Sequence, residues 1–299
     1  MSIMDPSTSK ISLAYLGPEG TYGHQAAQVF LPALSEDVDV ELIPCPTISD
    51  VYHHPSDYLV LPVQNTLAGS VTETADCLLS PLASGRENGK VEVGGIKGGN
   101  PGPSRPRIIG STDLEIAHCL VVRRGVNMDD IKWVRSHEQA LTQSTIFLHT
   151  HLPFATLHPW RSTASAALSL LQLSPEDPPG DGAALCSKAV LTLYPQLELL
   201  YEGTQAGNDN FTRFLLLSRH PDRPSICPIP TSNFFACRDS MTLSTLAQNS
   251  KLKAVHARPA PVEESSERYP TWYLVEVDSS TIYSSLDRKR EDTVKLGTC

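Results

Sequence analysis

The chain has 299 residues, of which 40% are hydrophobic, and it carries a formal net charge of −9 with a pI near 5.5. A chain of this length can bury more than one core, so we expect several domains. The acidic balance argues against a nucleic-acid binder, which needs a clustered basic face. No apolar run is long enough to span a membrane, and the first residues lack the basic start and apolar core of a signal peptide. We therefore expect a cytoplasmic protein that binds neither nucleic acid nor membrane.

The seven cysteines are scattered, odd in number and never spaced Cys-x-x-Cys. This pattern indicates buried, reduced thiols rather than a disulfide framework or a zinc cage. His149, His151 and His158 lie close together in the sequence, but no matching carboxylate accompanies them, and Pro153 and Pro159 place them in a loop. We therefore expect no metal site.

The first predicted element is an apolar strand over residues 11–16. A turn, Gly17-Pro18-Glu19-Gly20-Thr21, follows it, and residues 24–31 have the pattern of a helix. The turn has neither the Gly-Lys-Ser/Thr of a nucleotide-binding loop nor the third glycine of a dinucleotide fingerprint, so no nucleotide cofactor is indicated. The pattern instead predicts a helix N-terminus near Thr21 that suits an anionic group.

A second predicted strand, residues 58–61, runs into a polar loop that contains Asn65 and Thr66 and precedes a predicted helix over residues 74–79. This strand therefore ends in amide and hydroxyl side chains. Residues 83–107 are rich in Gly, Pro, Ser and charged residues. That composition is typical of an exposed, mobile insertion, and we assign it no chemistry.

A third predicted strand over residues 117–122 is followed by a helix that we expect to begin near Ser136. Residues three and four positions apart share a helix face, so Ser136, Gln139 and Gln143 form a polar face suited to lining a cleft. The alternative is that Ser136 caps the helix and Gln143 is solvated.

A later helix opens with two hydroxyl residues, Ser162 and Thr163, whose neighbouring backbone amides favour a carboxylate. A small-residue strand over residues 182–186 and a predicted helix over residues 189–193 come next. Strands and helices thus alternate along the chain, which is typical of an α/β protein. The polar residues gather where strands pass into helices, and open α/β sheets bind ligands at such junctions.

The segment Asn208-Asp209-Asn210-Phe211-Thr212-Arg213-Phe214 sets a hydroxyl beside a guanidinium at the start of an apolar strand, residues 214–217. A polar pair at a strand end is typical of a ligand site. The alternative interpretation is a turn over residues 208–210, an ordinary strand threonine at position 212 and a solvated charge at position 213.

Six motifs occur in a fixed order along the chain. They are Leu16-Gly17-Pro18-Glu19-Gly20-Thr21, Pro62-Val63-Gln64-Asn65-Thr66, His118-Cys119-Leu120-Val121-Val122, Ser136-His137, Ser162-Thr163-Ala164-Ser165-Ala166-Ala167 and Asn210-Phe211-Thr212-Arg213-Phe214. Together they resemble the prephenate dehydratases, which convert prephenate to phenylpyruvate on the route to phenylalanine. The resemblance covers about residues 11–219.

This resemblance implies a catalytic domain over residues 11–220, built from two α/β lobes like those of type II periplasmic binding proteins. Lobe one would comprise residues 11–117 and 195–220, and lobe two residues 118–194. The substrate would bind between the lobes.

The resemblance also implies roles for individual side chains. Thr212 corresponds to an essential threonine of the family, and we expect it to give a hydrogen bond or proton to the hydroxyl that leaves prephenate. The residues expected to bind substrate are Asn65, Thr66, Ser136, Gln143, Thr21, Ser162, Thr163 and Arg213. Arg213 has two open roles, binding a substrate carboxylate or tying the lobes together. Such a site requires no metal or organic cofactor.

Two positions depart from the family pattern. Gln64 stands where the family has a glutamate, which keeps hydrogen bonding and loses the charge, and Arg161 stands where an acidic residue usually precedes the helix start, which inverts the charge. Either change is expected to affect substrate choice or rate. Arogenate, with an amino group in place of the keto oxygen, is an alternative substrate. A non-catalytic two-lobed binding or sensor protein is the alternative from another class.

Residues 231–282 resemble an ACT domain, a regulatory α+β module of ferredoxin-like fold. The phenylalanine-sensing Gly-Ala-Leu pattern is absent, and the polar tail over residues 283–299 lacks an evident closing helix and strand. We therefore predict an incomplete module, a disordered tail, and phenylalanine feedback that is weak or absent. The resemblance further implies a homodimer or homotetramer.

Overall fold

The computed structural model describes residues 10–34, 39–83, 105–207, 209–260, 270–279 and 293–299. Their helices are α1 (Tyr22–Leu34), α2 (Ile48–His53), α3 (Thr72–Ala83), α4 (Glu138–Gln143), α5 (Thr145–His151), α6 (Thr163–Ser169), α7 (Val190–Leu193) and α8 (Ser240–Asn249). Their strands are β1 (Ile11–Leu16), β2 (Val40–Cys45), β3 (Tyr58–Asn65), β4 (Gly69–Ser70), β5 (Arg107–Glu115), β6 (Cys119–Arg123), β7 (Ile131–Ser136), β8 (Thr156–Pro159), β9 (Asp181–Cys186), β10 (Leu197–Glu202), β11 (Phe211–Ser218), β12 (Ser232–Cys237), β13 (Leu252–Pro259), β14 (Thr271–Asp278) and β15 (Thr293–Thr298). None of the helices in these ranges combines the length and apolar character needed to cross a membrane.

Lobe one is built on part of a large sheet, to which it contributes β5, β11, β3, β1 and β2 in that order, with β4 beside β3. β1 runs parallel to its neighbours, whereas β11 runs antiparallel to β3 and β5. β3 and β11 have nearly continuous apolar runs because α1 covers one face of the sheet, while α2, α3 and the C-terminal module cover the other. The polar ends of these strands, Asn65 and Thr212, pair directly.

Lobe two is built on a smaller sheet, whose strand order is β10-β6-β9-β7-β8. The assignment of residues 195–202 to lobe one was wrong, because β10 pairs antiparallel with β6 and Leu197 is buried in the core of lobe two. Small residues of α6, including Ala164 and Ala167, let this helix pack closely on β9. The two lobes therefore have separate sheets and separate cores, as predicted for a two-lobed α/β protein.

The chain crosses between the lobes twice, after β5 and after β10. The two crossing segments are hydrogen-bonded to each other. Ile116 N donates to the Asn210 carbonyl at 2.7 Å, and Thr204 N donates to the His118 carbonyl at 2.8 Å. Gly20 marks a close approach of the lobes, since its φ of +84° favours glycine and a Cβ there would lie 3.0 Å from Val190 Cγ1. The lobes thus face each other across a narrow cleft beside the crossing segments.

The insertion predicted at residues 83–107 lies mostly outside the described residues. Its last residue, Arg107, starts β5, a strand that we did not predict. β5 pairs with β11 from one end to the other and so belongs to the middle of the sheet. Gly110 interrupts its apolar pattern, and Ile226, from far along the chain, packs over that glycine.

The C-terminal module consists of β12, α8, β13, β14 and β15, with the strand order β13-β14-β12-β15. This is the strand order of a ferredoxin-like fold. The prediction that the tail is disordered and lacks a closing strand was wrong for residues 293–299, because β15 pairs with β12 and buries Leu296 and Cys299. The rest of the predicted tail, residues 283–292, lies outside the described residues.

The module continues the sheet of lobe one through a single joint, where Gly297 of β15 pairs with Ile108 of β5. A Cβ at Gly297 would collide with the Ile108 carbonyl, so glycine permits this close approach. The module also packs back against lobe one: Phe234 and Leu274 share one core with Leu215 of β11. The module and lobe one are therefore joined by both a strand pairing and a common core.

Candidate active site

A cleft of about 580 Å³ opens between the two lobes. Six of the nine predicted site residues line it, namely Thr21, Asn65, Gln143, Ser162, Thr163 and Thr212. Further polar side chains come from Tyr22, Glu73, His118, His137, Gln139 and Arg161. A larger depression of about 750 Å³ on lobe two adjoins the cleft at Arg161 and contains none of the nine.

Thr212 and Asn65 lie opposite each other on β11 and β3. Asn65 Nδ2 donates to Thr212 Oγ1 at 3.0 Å. A hydroxyl that accepts from a neighbour still has its own proton to donate. Within the described ranges Thr212 Oγ1 donates to no other group, so the proton of this half-buried hydroxyl is available to a ligand in the cleft.

The backbone fixes the orientation of the Asn65 amide. Its Oδ1 accepts from two main-chain N–H groups, Leu67 N at 3.0 Å and Ala68 N at 2.8 Å. Because those groups can only donate, the amide nitrogen of Asn65 must face the other way, toward Thr212. Thr212 is therefore held as an acceptor from Asn65 and as a donor toward the cleft.

The same amide starts a hydrogen-bonded chain that crosses to lobe two. Asn65 Nδ2 also donates to Asn210 Oδ1 at 2.8 Å and to the Phe211 carbonyl at 3.0 Å, so its two hydrogens are shared among three acceptors. Asn210 Nδ2 in turn donates to Gln143 Oε1 at 3.1 Å. His118 Nε2 lies 2.9 Å from the same oxygen and therefore carries the proton that it shares. Gln143 Oε1 thus accepts twice. Its Nε2, which has no partner among the residues described, is left to donate into the cleft.

His118 and Tyr22 lie at the far end of this chain, beside the crossing segments. Tyr22 Oη donates to the Ala117 carbonyl at 2.8 Å and lies 3.2 Å from His118 Nδ1. Burial lowers the pKa of His118, although its bond to Gln143 acts in the opposite direction. Burial also raises the pKa of Tyr22 well above its ordinary value. Both groups are thus neutral near pH 7, and the single ring proton of His118 lies on Nε2 because Gln143 Oε1 can only accept.

Thr21 and Ser162 line the cleft, but their hydroxyls are engaged at the starts of helices. Thr21 Oγ1 donates to the Pro18 carbonyl at 2.8 Å and accepts from His24 N at 3.2 Å. Ser162 Oγ accepts from Ser165 N at 3.1 Å and donates to Ser165 Oγ at 2.8 Å. These caps fix where the helices begin. A ligand anion at α1, which has 13 residues, would therefore meet backbone amides rather than the Thr21 hydroxyl.

Ser136 does not line the cleft, so the structure does not bring this predicted substrate-binding residue together with Thr212 and Asn65. It is the last residue of β7 rather than part of a helix, because α4 begins at Glu138 with His137 as its N-cap. The fully buried Ser136 hydroxyl donates to the Leu185 carbonyl at 2.6 Å. Its role in the structure is to join β7 to the neighbouring strand.

The hydroxyl of Thr66 is likewise engaged within the fold, so the structure does not bring this predicted substrate-binding residue into the cleft. Its hydroxyl donates to the Asp209 carbonyl at 2.6 Å and accepts from Phe211 N at 2.9 Å. These two bonds tie the loop after β3 to the segment that enters β11. Thr66 is exposed and lies outside the lining of the cleft.

Arg213 faces away from the cleft, because consecutive residues of a strand point to opposite faces and Thr212 faces into it. Arg213 Nε donates to Asp113 Oδ1 at 3.0 Å, and Nη1 donates to Glu276 Oε2 at 3.0 Å. Of the two predicted roles, this placement gives no support to the binding of a carboxylate in the cleft. Arg213 does tie parts of the protein together, but it connects lobe one to the C-terminal module rather than to lobe two.

Sequence reasoning missed Asn210 and His118 as site residues and treated Arg161 only as a departure from a pattern. Asn210 is 1% exposed and connects the amides of both lobes. Its position two residues before Thr212 was a usable signal, since the period of a strand is two. His118 ends the segment that enters lobe two, and Arg161 lines the cleft without an ion-pair partner in the described part of the chain.

The described residues contain no group of three or more His, Cys, Asp or Glu side chains that could hold a metal ion. His149 and His151 are exposed on α5. His158 lies on β8, and its Nε2 is 2.9 Å from Thr156 Oγ1. Each of the seven cysteines is free, and six of them are buried.

The cleft residues lie in a part of the chain that matches a known family, since residues 13–222 match the prephenate dehydratase family model. Arogenate dehydratase 2 of Petunia hybrida is 29% identical over 299 residues, which cover 93% of this chain and 66% of that protein. A bifunctional chorismate mutase/prephenate dehydratase of Aquifex aeolicus (strain VF5) is 30% identical over 221 residues, covering 72% of this chain and 51% of that protein. The chain thus spans about half to two thirds of the length of these curated relatives.

The fold is also similar to that of a solved structure, the prephenate dehydratase of Arthrobacter aurescens in complex with L-Phe. The two share 24% identity with a TM-score of 0.73, and the similarity covers 96% of this chain and 89% of the other. At that identity the likeness supports the fold and does not by itself give an activity. The family model, in contrast, matches well over half of the sequence. The chain belongs to the prephenate dehydratase family.

Proposed function

We propose that this protein is a prephenate dehydratase, which removes CO₂ and water from prephenate to give phenylpyruvate. The observation that carries the proposal is the Thr212 hydroxyl, which accepts from Asn65 Nδ2 at 3.0 Å and keeps its own proton for the cleft. An oriented donor also serves a protein that only binds its ligand, so the assays described below distinguish the two functions. Family membership supports the reaction class, and this donor is the group that the reaction needs.

The reaction requires hydroxide to leave a ring. When the ring carboxylate departs as CO₂, the electron pair of the broken C–C bond enters the ring, the C–O bond to the ring hydroxyl breaks, and the ring becomes aromatic. The departing hydroxide takes up one proton and leaves as water, so each prephenate dianion consumes one proton. Because aromatisation drives the reaction, stabilising the leaving oxygen is the main task of the protein. Thr212 does this as a hydrogen-bond donor, and since a threonine hydroxyl is a weak acid, solvent supplies the proton.

Other groups of the cleft orient the substrate. Gln143 Nε2 donates to a ligand oxygen, because its Oε1 is already held by Asn210 and His118. Two features suit the carboxylates of prephenate: the Arg161 guanidinium on lobe two and the backbone amides at the start of α1 on lobe one. Binding between these features places the ring beside Thr212.

Arogenate dehydration is the second candidate activity, since five of the relatives carry that name in whole or in part. Arogenate has an ammonium group, which a carboxylate would hold best. Among the described residues that line the cleft, Glu73 is the acidic side chain, and its Oε1 already accepts from Ser49 N at 3.1 Å. Both substrates carry two carboxylates, but Arg161 adds a positive charge that repels the ammonium group of arogenate, which favours the keto acid over the amino acid.

The test is a pair of assays on the purified protein, phenylpyruvate formation from prephenate and phenylalanine formation from arogenate. We expect faster turnover of prephenate than of arogenate. Any turnover of arogenate would show that the cleft accepts its ammonium group. Faster turnover of arogenate would replace the proposed substrate. Tight binding of prephenate without either product would support the binding or sensor protein instead.

For the C-terminal module we propose an ACT-like fold with phenylalanine feedback that is weak or absent. The strand order supports the first part, and the missing Gly-Ala-Leu pattern supports the second. Inhibition by phenylalanine at micromolar concentration would contradict this. We also propose a homodimer or homotetramer, measurable by light scattering, and a cytoplasmic location, which the seven free cysteines support because reducing compartments keep thiols free.

A further inference from the structure

We propose that Glu276, in the C-terminal module, positions the Thr212 hydroxyl by holding Arg213. The inference rests on the proposed function, which gives Thr212 its catalytic role. Under this proposal the C-terminal module contributes to the geometry of the active site, and Glu276 is a positioning residue for the reaction.

Arg213 is the physical link between Glu276 and Thr212. It follows Thr212 in β11 and points to the opposite face, toward the module. Arg213 Nη1 lies 3.3 and 3.0 Å from the two carboxylate oxygens of Glu276, and Nε lies 3.0 Å from Asp113 Oδ1. The guanidinium is therefore held by two carboxylates, one from the module and one from lobe one.

The strand pairing around Thr212 is irregular, so regular strand geometry does not by itself determine the direction of its side chain. Thr212 pairs with Asn65 and Arg213 pairs with Gln64, but Phe214 then pairs with Pro62, which leaves an extra residue in β3. Proline has no N–H to give to the neighbouring strand. Such bulges change the direction of nearby side chains. A fixed Arg213 side chain therefore sets the backbone from which the Thr212 hydroxyl is aimed.

Glu276 is the stronger of the two carboxylate anchors. It is 4% exposed, and Ser232 Oγ donates to its Oε1 at 2.6 Å. Leaving a buried carboxylate without a positive partner is unfavourable, so Glu276 keeps Arg213 engaged. The side chain of Asp113 is 58% exposed, and solvent screens its attraction for Arg213.

The first test is Glu276→Gln in the full chain, a change that removes the charge and keeps the size. We expect kcat for prephenate to fall about tenfold with KM within about twofold, because small displacements of a catalytic group slow the chemical step. Asp76→Asn is the matched control. It removes the Asp76–Arg258 ion pair, which also joins lobe one to the module but does not involve β11, so kcat should stay unchanged.

The second test asks whether the loss depends on Thr212. In a Thr212→Ala background, Glu276→Gln should cause no further fall in the residual rate, since the residue that it positions is gone. Glu276→Asp keeps the charge and should recover part of kcat. Equal fractional losses with and without Thr212, or no loss at all, would overturn the proposal in favour of a purely structural ion pair.

The third test does not depend on activity. The methyl resonance of Thr212, in protein labelled with ¹³C-methyl threonine, is identified by its disappearance in Thr212→Ala. We expect it to shift in Glu276→Gln and in Arg213→Lys, and not in Asp76→Asn. An unchanged resonance overturns the proposal, and Arg213→Lys decides the matter if Glu276→Gln does not fold. If the wild-type protein converts neither substrate, the proposed function fails, whereas the resonance still decides whether Glu276 positions Thr212.

Discussion

The two walls of the cleft are built in different ways. On lobe one, Asn65 and Thr212 lie at the ends of paired central strands, and backbone amides fix the direction of the Asn65 side chain. On lobe two, Gln143 ends a short helix, and the exposed Arg161 lies just before another. Under the proposed function we expect the roles to divide accordingly, with lobe one orienting the hydrogen-bond donor and lobe two binding the charged groups of the substrate.

The substitution Thr212→Ala, on the lobe-one wall, is the most direct test of this difference between the two walls. We expect kcat for prephenate to fall about a thousandfold, within the range found when a positioned donor is lost. Steady-state kinetics give the rate, and circular dichroism confirms that the fold is kept. Thr212→Ser retains the hydroxyl and should retain most of the activity. Normal turnover by folded Thr212→Ala would remove Thr212 from the mechanism.

A second substitution, Asn65→Asp, reverses the direction of the hydrogen bond between positions 65 and 212 and replaces only one side-chain group. Asn65→Asp keeps the oxygen that accepts from Leu67 N and Ala68 N but loses the nitrogen that donates to Thr212. The Thr212 hydroxyl would then donate to Asp rather than to substrate. We expect kcat to fall about a hundredfold, the cost typical of a lost oriented donor.

The control for that change is Asn249→Asp, at the exposed end of α8, which should leave kcat unchanged. Retention of full activity by Asn65→Asp would show that the direction of the Thr212 proton is not set by Asn65. It would also remove the reason for treating the lobe-one wall as fixed.

On the lobe-two wall, Arg161→Gln tests charge recognition. We expect the ratio of kcat/KM for prephenate to that for arogenate to fall about tenfold, because the change removes a repulsion of about 1.4 kcal/mol between Arg161 and the ammonium group that only arogenate carries. Arg124→Gln, at an exposed position of the same lobe, is the control. A loss shared equally by both substrates would mean that Arg161 supports binding without discriminating.

Acidification should lower the free energy of unfolding, because buried histidines lie in lobe one, in a crossing segment and in the C-terminal module. Burial lowers the pKa of His24, His118 and His256 below the ordinary 6.5. The unfolded chain then binds more protons than the folded chain as the pH falls through 6.5. The free energy of unfolding should be fully retained above that pH and should decrease below it.

Urea unfolding measured on both sides of this pH gives the slope directly. His256→Gln removes a buried histidine that lies outside the cleft, with its Nδ1 2.6 Å from Ser70 Oγ, and should make the decrease shallower. A decrease that steepens in His256→Gln would contradict this account.

The smallest effect on activity is expected from Ser136→Ala. Because the Ser136 hydroxyl is buried and bonded to the Leu185 carbonyl, its loss should lower the free energy of unfolding by about 1 kcal/mol. KM for prephenate should stay within about twofold. A large rise in KM with unchanged stability would return Ser136 to the substrate-binding residues and would give lobe two a fixed wall as well.

Continuous apolar runs were the part of the fold that sequence could predict. The strand predicted over residues 11–16 is β1 with the same bounds, and the one predicted over residues 182–186 is β9 with one more residue. β5 and β15 were missed because their apolar residues are interrupted, and the side chains that cover them come from distant parts of the chain. Ile226 over Gly110 is one such case.

Sequence predicted several residues of the candidate site, but it predicted less well which way their side chains face. Sequence brought Thr212, Asn65 and Gln143 into one hypothesis, and the structure places all three in the cleft, while their roles stay predictions. It misplaced Ser136, because spacing alone does not distinguish the last residue of a strand from the first residue of a helix. It left Arg213 open, because alternation along β11 says that positions 212 and 213 differ in face but not which face is the cleft.

Any rotation of one lobe against the other would turn about the two crossing segments. Asn210 belongs to one crossing segment, bonds Asn65 on lobe one, and bonds Gln143 on lobe two through its other amide atom. Rotation of the lobes about these segments would lengthen the Asn210 Nδ2–Gln143 Oε1 bond of 3.1 Å, together with the Gln25 Nε2–Ser187 Oγ bond of 2.8 Å that also joins the lobes. An opened molecule would therefore release Gln143 while Asn65 still holds Thr212, so closure around a substrate would reassemble only the half of the site that lobe two supplies.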